Sequence, residues 1–215
     1  MENSSKKGTN QKVRALSDRE QARTKLAVFF GSRDTSGRHS VIETIANATD
    51  EISNNFEEGR VIIELSEDCR TISVEDTGRG INIDEVDDNG TPYYELLFTT
   101  LFAGSKYDST LDSYTTGLNG VGSSVICYSS KFYECVSKRN GKIYRVQYKN
   151  GGEIINELEV LGNTEAHGSK FTFTLDETIQ RNIARGGYRC PVVLSAIDEL
   201  SDTTSEYYQN YFPYF

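Results

Sequence analysis

The chain has 215 residues, 36% of them hydrophobic and 26% charged, which suits one globular domain with a real core, or one domain and a small appendage. Its formal charge of -9 argues against a broad nucleic-acid-binding surface but leaves room for a local basic pocket. No apolar run reaches the length of a membrane span, no signal-type stretch opens the chain, and four scattered cysteines with two histidines and no CxxC speak against a zinc site, so a cytoplasmic protein with free thiols and no membrane partner is expected.

Residues 1–18 are polar and aperiodic and read as a mobile N-terminal arm, with residues 19–215 as one domain. Ser17 can cap a short helix running to about Lys25, and Glu20 stands where a capping box needs it. An apolar stretch, Leu26 to Phe30, and a turn-rich loop, Gly31 to Gly37, lead into a helix over Ser40–Asn55. Helical spacing puts Val41, Ile42, Ile45, Ala46, Ala48 and Ile52 on one side, and Glu43, Asn47, Asp50, Glu51 and Asn54 on the other. That polar side carries oxygen ligands and no base. Taken alone it reads as a solvated acidic face, or as a surface whose positive partner lies elsewhere in the fold.

Arg60–Ser66 and Arg70–Glu75 read as a strand pair. Asp76-Thr-Gly-Arg-Gly then breaks the ladder, as a capped tight turn or as a ligand site. In the second reading the Asp76 carboxylate, acceptor-only when ionised, suits an exocyclic amino group such as that of adenine, and Gly78 and Gly80 let a flat ring approach the backbone. An acidic loop and an apolar helix over Tyr93–Phe102 follow, then a Gly/Ser/Thr/Asp-rich stretch, Ala103 to Thr116. Gly117, Gly120 and Gly122 precede a helix running to about Tyr128; such spacing marks either a flexible loop or a phosphate cradle of backbone N–H groups at a helix N-terminus. No Gly-Lys-Ser/Thr follows, which excludes a P-loop.

Strands are expected at Phe132–Lys138 and Lys142–Lys149, joined by an Asn-Gly hairpin, and at Ile154–Leu161 and Lys170–Leu175. Early helices and late strands predict an α+β two-layer sandwich: a mixed, mostly antiparallel sheet with helices on one face. Residues 176–215 are less patterned; Val192 to Leu200 looks helical and the aromatic end, Tyr207 to Phe215, packs back or leads into a further domain.

Glu43-xxx-Asn47 on a helix, Asp76-x-Gly78-x-Gly80 after a strand and Gly117-xx-Gly120-x-Gly122 after a loop, in this order, resemble the GHKL ATPases and their Bergerat nucleotide site, most closely the N-terminal ATPase region of type IIA topoisomerases such as DNA gyrase B. Phe102-Ala-Gly-Ser-Lys-Tyr107 is similar to that family's His-Ala-Gly-Gly-Lys-Phe, Arg139-Asn-Gly-Lys142 to its Arg-Glu-Gly-Lys, and His167-Gly-Ser169 stands at its Thr-Gly-Thr. The likeness covers roughly Arg23 to Leu175.

The resemblance implies ATP and Mg²⁺ as cofactors and assigns roles residue by residue. Glu43 would be the general base that orients a water at the γ-phosphate. Asn47 would hold Mg²⁺, and Asp50 would lie near the metal's water shell or the adenine edge. Glu51 and Arg79 would pair beneath the adenine, while Asp76 and Ser169 would read its amino group. Val74, Ile81 and Leu97 would wall the ring, with Gly80 close to it. Lys106 and the loop Gly117, Leu118, Asn119, Gly120, Val121, Gly122 would hold phosphates. Tyr114 would reach the adenine from a lid, and Arg139 would sit at the pocket mouth, open to aminocoumarin-type inhibitors. ATP would close the lid and drive homodimerisation through the arm, gating strand passage with an A-type subunit and DNA outside this chain. The family's second domain gives a lysine to the γ-phosphate, so slow turnover is expected of this chain in isolation.

The chain departs from the pattern at Lys25–Phe30, at Ala46 (Asp in the family), Asn82 (Pro), Thr116 (Gly) and Asn119 (His), and in a lid about two residues shorter. These mark a divergent member. A mismatch-repair or kinase-type GHKL ATPase, or a nucleotide switch that does not hydrolyse, are the alternatives.

Overall fold

The computed structural model describes residues 14–31, 36–68, 70–103 and 121–178. The elements run α1 (Asp18–Thr24), α2 (Leu26–Phe30), α3 (Ser36–Asn55), β1 (Val61–Leu65), β2 (Thr71–Asp76), α4 (Tyr93–Thr99), α5 (Gly122–Ser129), β3 (Ser130–Arg139), β4 (Lys142–Lys149), β5 (Glu153–Asn163) and β6 (Gly168–Leu175). The expected helix over 192–200 and the aromatic end lie outside the described residues.

Six strands form one sheet in the order β1-β2-β6-β3-β4-β5. Hairpins join β1 to β2 and β3 to β4 to β5, and the last strand, β6, inserts between the two groups. Every ladder among the described residues is antiparallel, so the mixed pairing expected of the sheet is not found there. The reason is the insertion: β6 runs opposite to both β2 and β3 and covers the edge that each would otherwise leave open.

Period-two alternation sorts the two faces. Ile72 and Val74 of β2, Tyr133 and Cys135 of β3, Val146 and Tyr148 of β4 and Phe173 and Leu175 of β6 are buried, and they meet Val41, Ile45 and Ala48 of α3 and Val125 and Ile126 of α5 in one core. The opposite face is polar and tied by cross-strand pairs: Lys170 to Glu64 at 2.6 Å, Lys138 to Glu75 at 2.6 Å and Arg145 to Glu159 at 2.6 Å. Cys127 and Cys135 are both buried free thiols.

Helix boundaries follow from local hydrogen bonding. Ser17 and Glu20 form the expected capping box on α1. The central helix starts a turn earlier than expected, at Ser36. α4 stops at Thr99 rather than reaching Phe102, because its last groups are claimed by other elements. The Thr99 carbonyl accepts from the Tyr128 hydroxyl, and the Leu101 N–H donates to Asp18 at 2.9 Å.

Phe98 of α4 fixes that helix to the sheet. It is fully buried, with its ring 5.3 Å from Tyr133, 5.9 Å from Tyr148 and 6.2 Å from Phe171. The Tyr148 hydroxyl adds a 2.9 Å bond to the Tyr94 carbonyl. Cavity creation outweighs one hydrogen bond here. Phe98→Ala is expected to cost about 3–5 kcal/mol in urea unfolding and Tyr148→Phe only about 1 kcal/mol, a ranking set by the apolar area removed and not by hydrogen bonding.

Candidate functional site

β2 ends where its sequence stops supporting a ladder. Gly78 lies so close to α3 that a Cβ there would stand 2.3 Å from Glu51 Cγ and 2.8 Å from Asp76 Oδ1. A larger residue in this turn would have to displace the Glu51 and Asp76 side chains. Its N–H donates to Asp76 Oδ1 at 2.8 Å.

The acidic face of α3 has a positive partner. Glu51 is 8% exposed, and its Oε1 accepts from both the backbone N–H and the Nε–H of Arg79, each at 3.0 Å. Its Oε2 accepts from Arg79 Nη2 at 3.3 Å and from Asn55 Nδ2 at 3.2 Å. Burying a carboxylate is costly unless its oxygens are hydrogen-bonded in this way.

Asp76 is equally buried, at 5% exposed, but less satisfied. Among the described residues only two backbone N–H groups reach it, from Gly78 and, at 3.3 Å, from Ser169, and both fall on Oδ1. Burial therefore dominates and pushes its pKa up to about 6, with the nearby Glu51 and Glu75 charges adding to the rise. Oδ2 has no donor among the described residues.

Asp76 belongs to a pocket between α3, α5 and the sheet. Thr44, Asn47, Ala48 and Glu51 line it from α3, and Ser123 and Ile126 from α5. Ile81, Tyr133, Ser169 and Phe171 close it. Ile81 is held from both sides: its N–H donates to Ser169 Oγ at 2.9 Å and its carbonyl accepts from Ser137 Oγ at 2.7 Å. Of the expected apolar walls, Ile81 lines the pocket while Val74 and Leu97 do not. Val74 lies deeper under α3 as core, and Leu97 packs partly buried against that core. Phe171, Tyr133 and Ile126 supply the apolar surface instead. The alternation of Tyr133 and Phe171 was visible in the sequence; their neighbourhood depends on β6 lying beside β3.

Glu43 stands one turn before Asn47 on α3, against the first residue of α5. A Cβ at Gly122 would lie 2.9 Å from Glu43 Oε2. Burial raises the Glu43 pKa, Asp50 adds to the rise and His39 opposes it. Asp50 is on α3 but outside the pocket lining. Val121 is the buried N-cap residue of α5, and its carbonyl accepts from Val125 N–H and Ser124 Oγ. Lys106, Tyr114, Gly117, Leu118, Asn119 and Gly120 lie outside the described residues.

A separate shallow groove is bordered by Arg79, Arg139, Asn140 and His167, with Glu165 beside them. Arg139 Nη1 donates to the Gly80 carbonyl at 3.3 Å, while its Nε is buried without a partner among the described residues.

Known proteins share this fold. The sequence profile of the histidine kinase-, DNA gyrase B- and HSP90-like ATPases matches residues 35–179. The chain is 35% identical over 172 residues to the type 2 topoisomerase B subunit of Aquifex aeolicus, covering 80% of this chain and 21% of that protein. It is 32% identical over 191 residues to the DNA topoisomerase 4 B subunit of Mycoplasma genitalium, covering 88% and 29%. Among solved structures, the 43K ATPase domain of Thermus thermophilus gyrase B, in complex with an aminocoumarin, superposes with a TM-score of 0.69 at 26% identity, over 86% of this chain and 46% of that one. The chain thus spans less than a third of the length of the two topoisomerase relatives. With more than half its residues matched and the fold shared, the chain belongs to the histidine kinase-, DNA gyrase B- and HSP90-like ATPase family.

Proposed function

We propose that this chain is the ATP-binding and hydrolysing domain of a type II topoisomerase B-type subunit. The observation that carries the reading is Asp76: a buried carboxylate on a pocket floor, saturated on one oxygen only. An amino group offering N–H to Oδ2 would complete it, and adenine carries such a group. The adenine ring would lie over the Gly78–Ile81 turn, against Ile81 and Phe171, with the Glu51–Arg79 pair holding that turn to α3. Relatedness to B-type subunits supports placing the domain in such an enzyme.

Glu43 would act as general base. Burial and the adjacent Asp50 favour proton uptake, and the start of α5 beside it offers N–H groups toward a polyphosphate. Mg²⁺ would be held by the Asn47 side-chain oxygen. No group of three or more His, Cys, Asp or Glu side chains forms a metal cage among the described residues. One neutral oxygen ligand suits an ion that takes its other ligands from phosphate and water. Bound Mg²⁺ would offset phosphate charge; the chain's own part is to orient water at Glu43 and the base at Asp76. ATP would also pair two chains through the arm, as a prelude to acting with an A-type subunit on DNA. Arg139 and Arg79 on the shallow groove would meet aminocoumarin-type inhibitors, the class bound to the gyrase B domain from Thermus thermophilus.

Glu43→Gln is expected to lower ATP hydrolysis by about 10²–10⁴-fold while leaving the affinity for a non-hydrolysable ATP analogue within about threefold. Loss of binding by calorimetry would instead make Glu43 structural.

Asp76 gives a second test with opposite signs for stability and binding. Its folded pKa of about 6 exceeds the ordinary value of 3.8, so ionisation disfavours the nucleotide-free fold, and stability falls as pH rises from about 4 to 6. Asp76→Asn keeps an oxygen for Gly78 and Ser169 but removes the charge. At pH 7.5 it is expected to stabilise the nucleotide-free domain by about 1–3 kcal/mol, with the gain vanishing below about pH 4. The same variant should weaken ATP-analogue binding at least about tenfold. A variant that binds as the wild type does would remove Asp76 from the adenine site.

A further inference from the structure

The connection from β5 to β6 brings His167 over the Asp76 turn. His167 Nδ1 lies 2.6 Å from the Gly78 carbonyl. A carbonyl can only accept, so Nδ1 carries the proton. The ring is fixed by stacking on Phe56, with centroids 5.2 Å apart and planes 8° from parallel. Phe56 is itself tied to the end of α3, its N–H donating to the Ile52 carbonyl at 2.8 Å. The next residue, Gly168, has φ +127°, and a Cβ there would stand 2.0 Å from the Asp76 carbonyl oxygen. The start of β6 and the end of β2 are thus in direct contact, and the His167 side chain bonds across to the Gly78 carbonyl.

Gly78 is then held at both ends of one residue. Its N–H goes to Asp76 Oδ1 and its carbonyl takes the His167 proton. Rotation of the 78–79 peptide would loosen the Gly78 carbonyl and also the Arg79 N–H bonded to Glu51. We propose that His167 is a positioning residue for adenine selection: by clamping the Gly78 carbonyl, with Phe56 as its backing, it fixes the orientation of the Asp76 carboxylate that reads the amino group. This rests on the reading of Asp76 as the adenine acceptor. His167 itself acts through the turn, so it governs the choice between purines more than the phosphate contacts.

The test compares non-hydrolysable analogues of ATP and of inosine triphosphate, which has a carbonyl in place of the amino group. Wild-type chain should prefer the adenine analogue by about 10²-fold or more, since a carboxylate aimed at a carbonyl is repelled. His167→Phe keeps the ring on Phe56 and removes the donor; it should shrink the preference about tenfold by weakening the adenine analogue alone. His167→Asn, whose amide nitrogen stands near the place of Nδ1, should restore the preference to within about threefold of wild type. An undiminished preference in His167→Phe would overturn the proposal, as would equal losses in the Phe and Asn variants. A wild-type chain with no preference would instead remove the Asp76 reading, and this inference with it. One measurement needs no variant: ¹⁵N spectra of the neutral His167 ring should show Nδ1 protonated, and an Nε2–H tautomer would leave Gly78 without its donor and overturn the clamp.

Discussion

Two buried carboxylates set side by side constrain everything around this pocket. Glu51 on α3 and Asp76 at the end of β2 repel one another, and a fold that buries both must treat them unequally. It gives Glu51 the guanidinium and a backbone N–H of Arg79 together with the Asn55 amide. Asp76 receives two backbone N–H groups on one oxygen. Saturation makes Glu51 a fixture that holds the turn to the helix. Under-saturation leaves Asp76 with a raised pKa and an unmet demand for a donor, the usual signature of a group kept for a ligand. The stability forgone at Asp76 is of the kind that active sites commonly forgo.

That inequality depends on backbone packed too tightly for side chains. Gly78 admits Glu51 to the turn, and Gly168 admits β6 to the end of β2. β6 then supplies Ser169 and Phe171 to the pocket, with the Ser169 N–H on Asp76 and its hydroxyl on Ile81. A strand made last in sequence thus completes a site begun by α3 and β2, with Ser169 lying 93 positions after Asp76. Such a site cannot form locally; it exists only once the long-range ladders β2–β6 and β3–β6 are in place.

This explains what the sequence disclosed and what it withheld. Features set by local rules were legible: the Ser17–Glu20 cap, the period of α3, the Asn140-Gly141 hairpin and the break after Asp76. Asn47 and Asp76 also line one pocket, as their residue types and order led us to expect. Boundaries set by distant partners were not legible. α4 ends at Thr99 because Tyr128 and Asp18 take its last groups, and neither is near it in the chain. The walls expected from Val74 and Leu97 came instead from Phe171 and Tyr133, for no period-two pattern states which strand lies next to which, and from Ile126 of α5. His167 stood out in the sequence only as part of His167-Gly-Ser169, and its partner Gly78 lies 89 positions away.

α5 extends the same logic from binding to chemistry. Its first residue meets Glu43, and its last turn is gripped from the other side: the Tyr128 carbonyl accepts from Arg23 Nη1 at 2.9 Å, and Arg23 also pairs with Asp176 at 2.7 Å. Arg19 reaches the neighbouring turn, donating from Nε to the Gly151 carbonyl at 2.9 Å. α1 therefore braces the far end of the helix whose near end faces Glu43. A shift of α5 along its axis would have to break the Arg23 contacts, so the distance between Glu43 and the helix start is held by an element with no residue in the pocket. The acid-rich face of α3 and the basic brace of α1 act on opposite ends of one short helix, and the position of Glu43 relative to it is their common product.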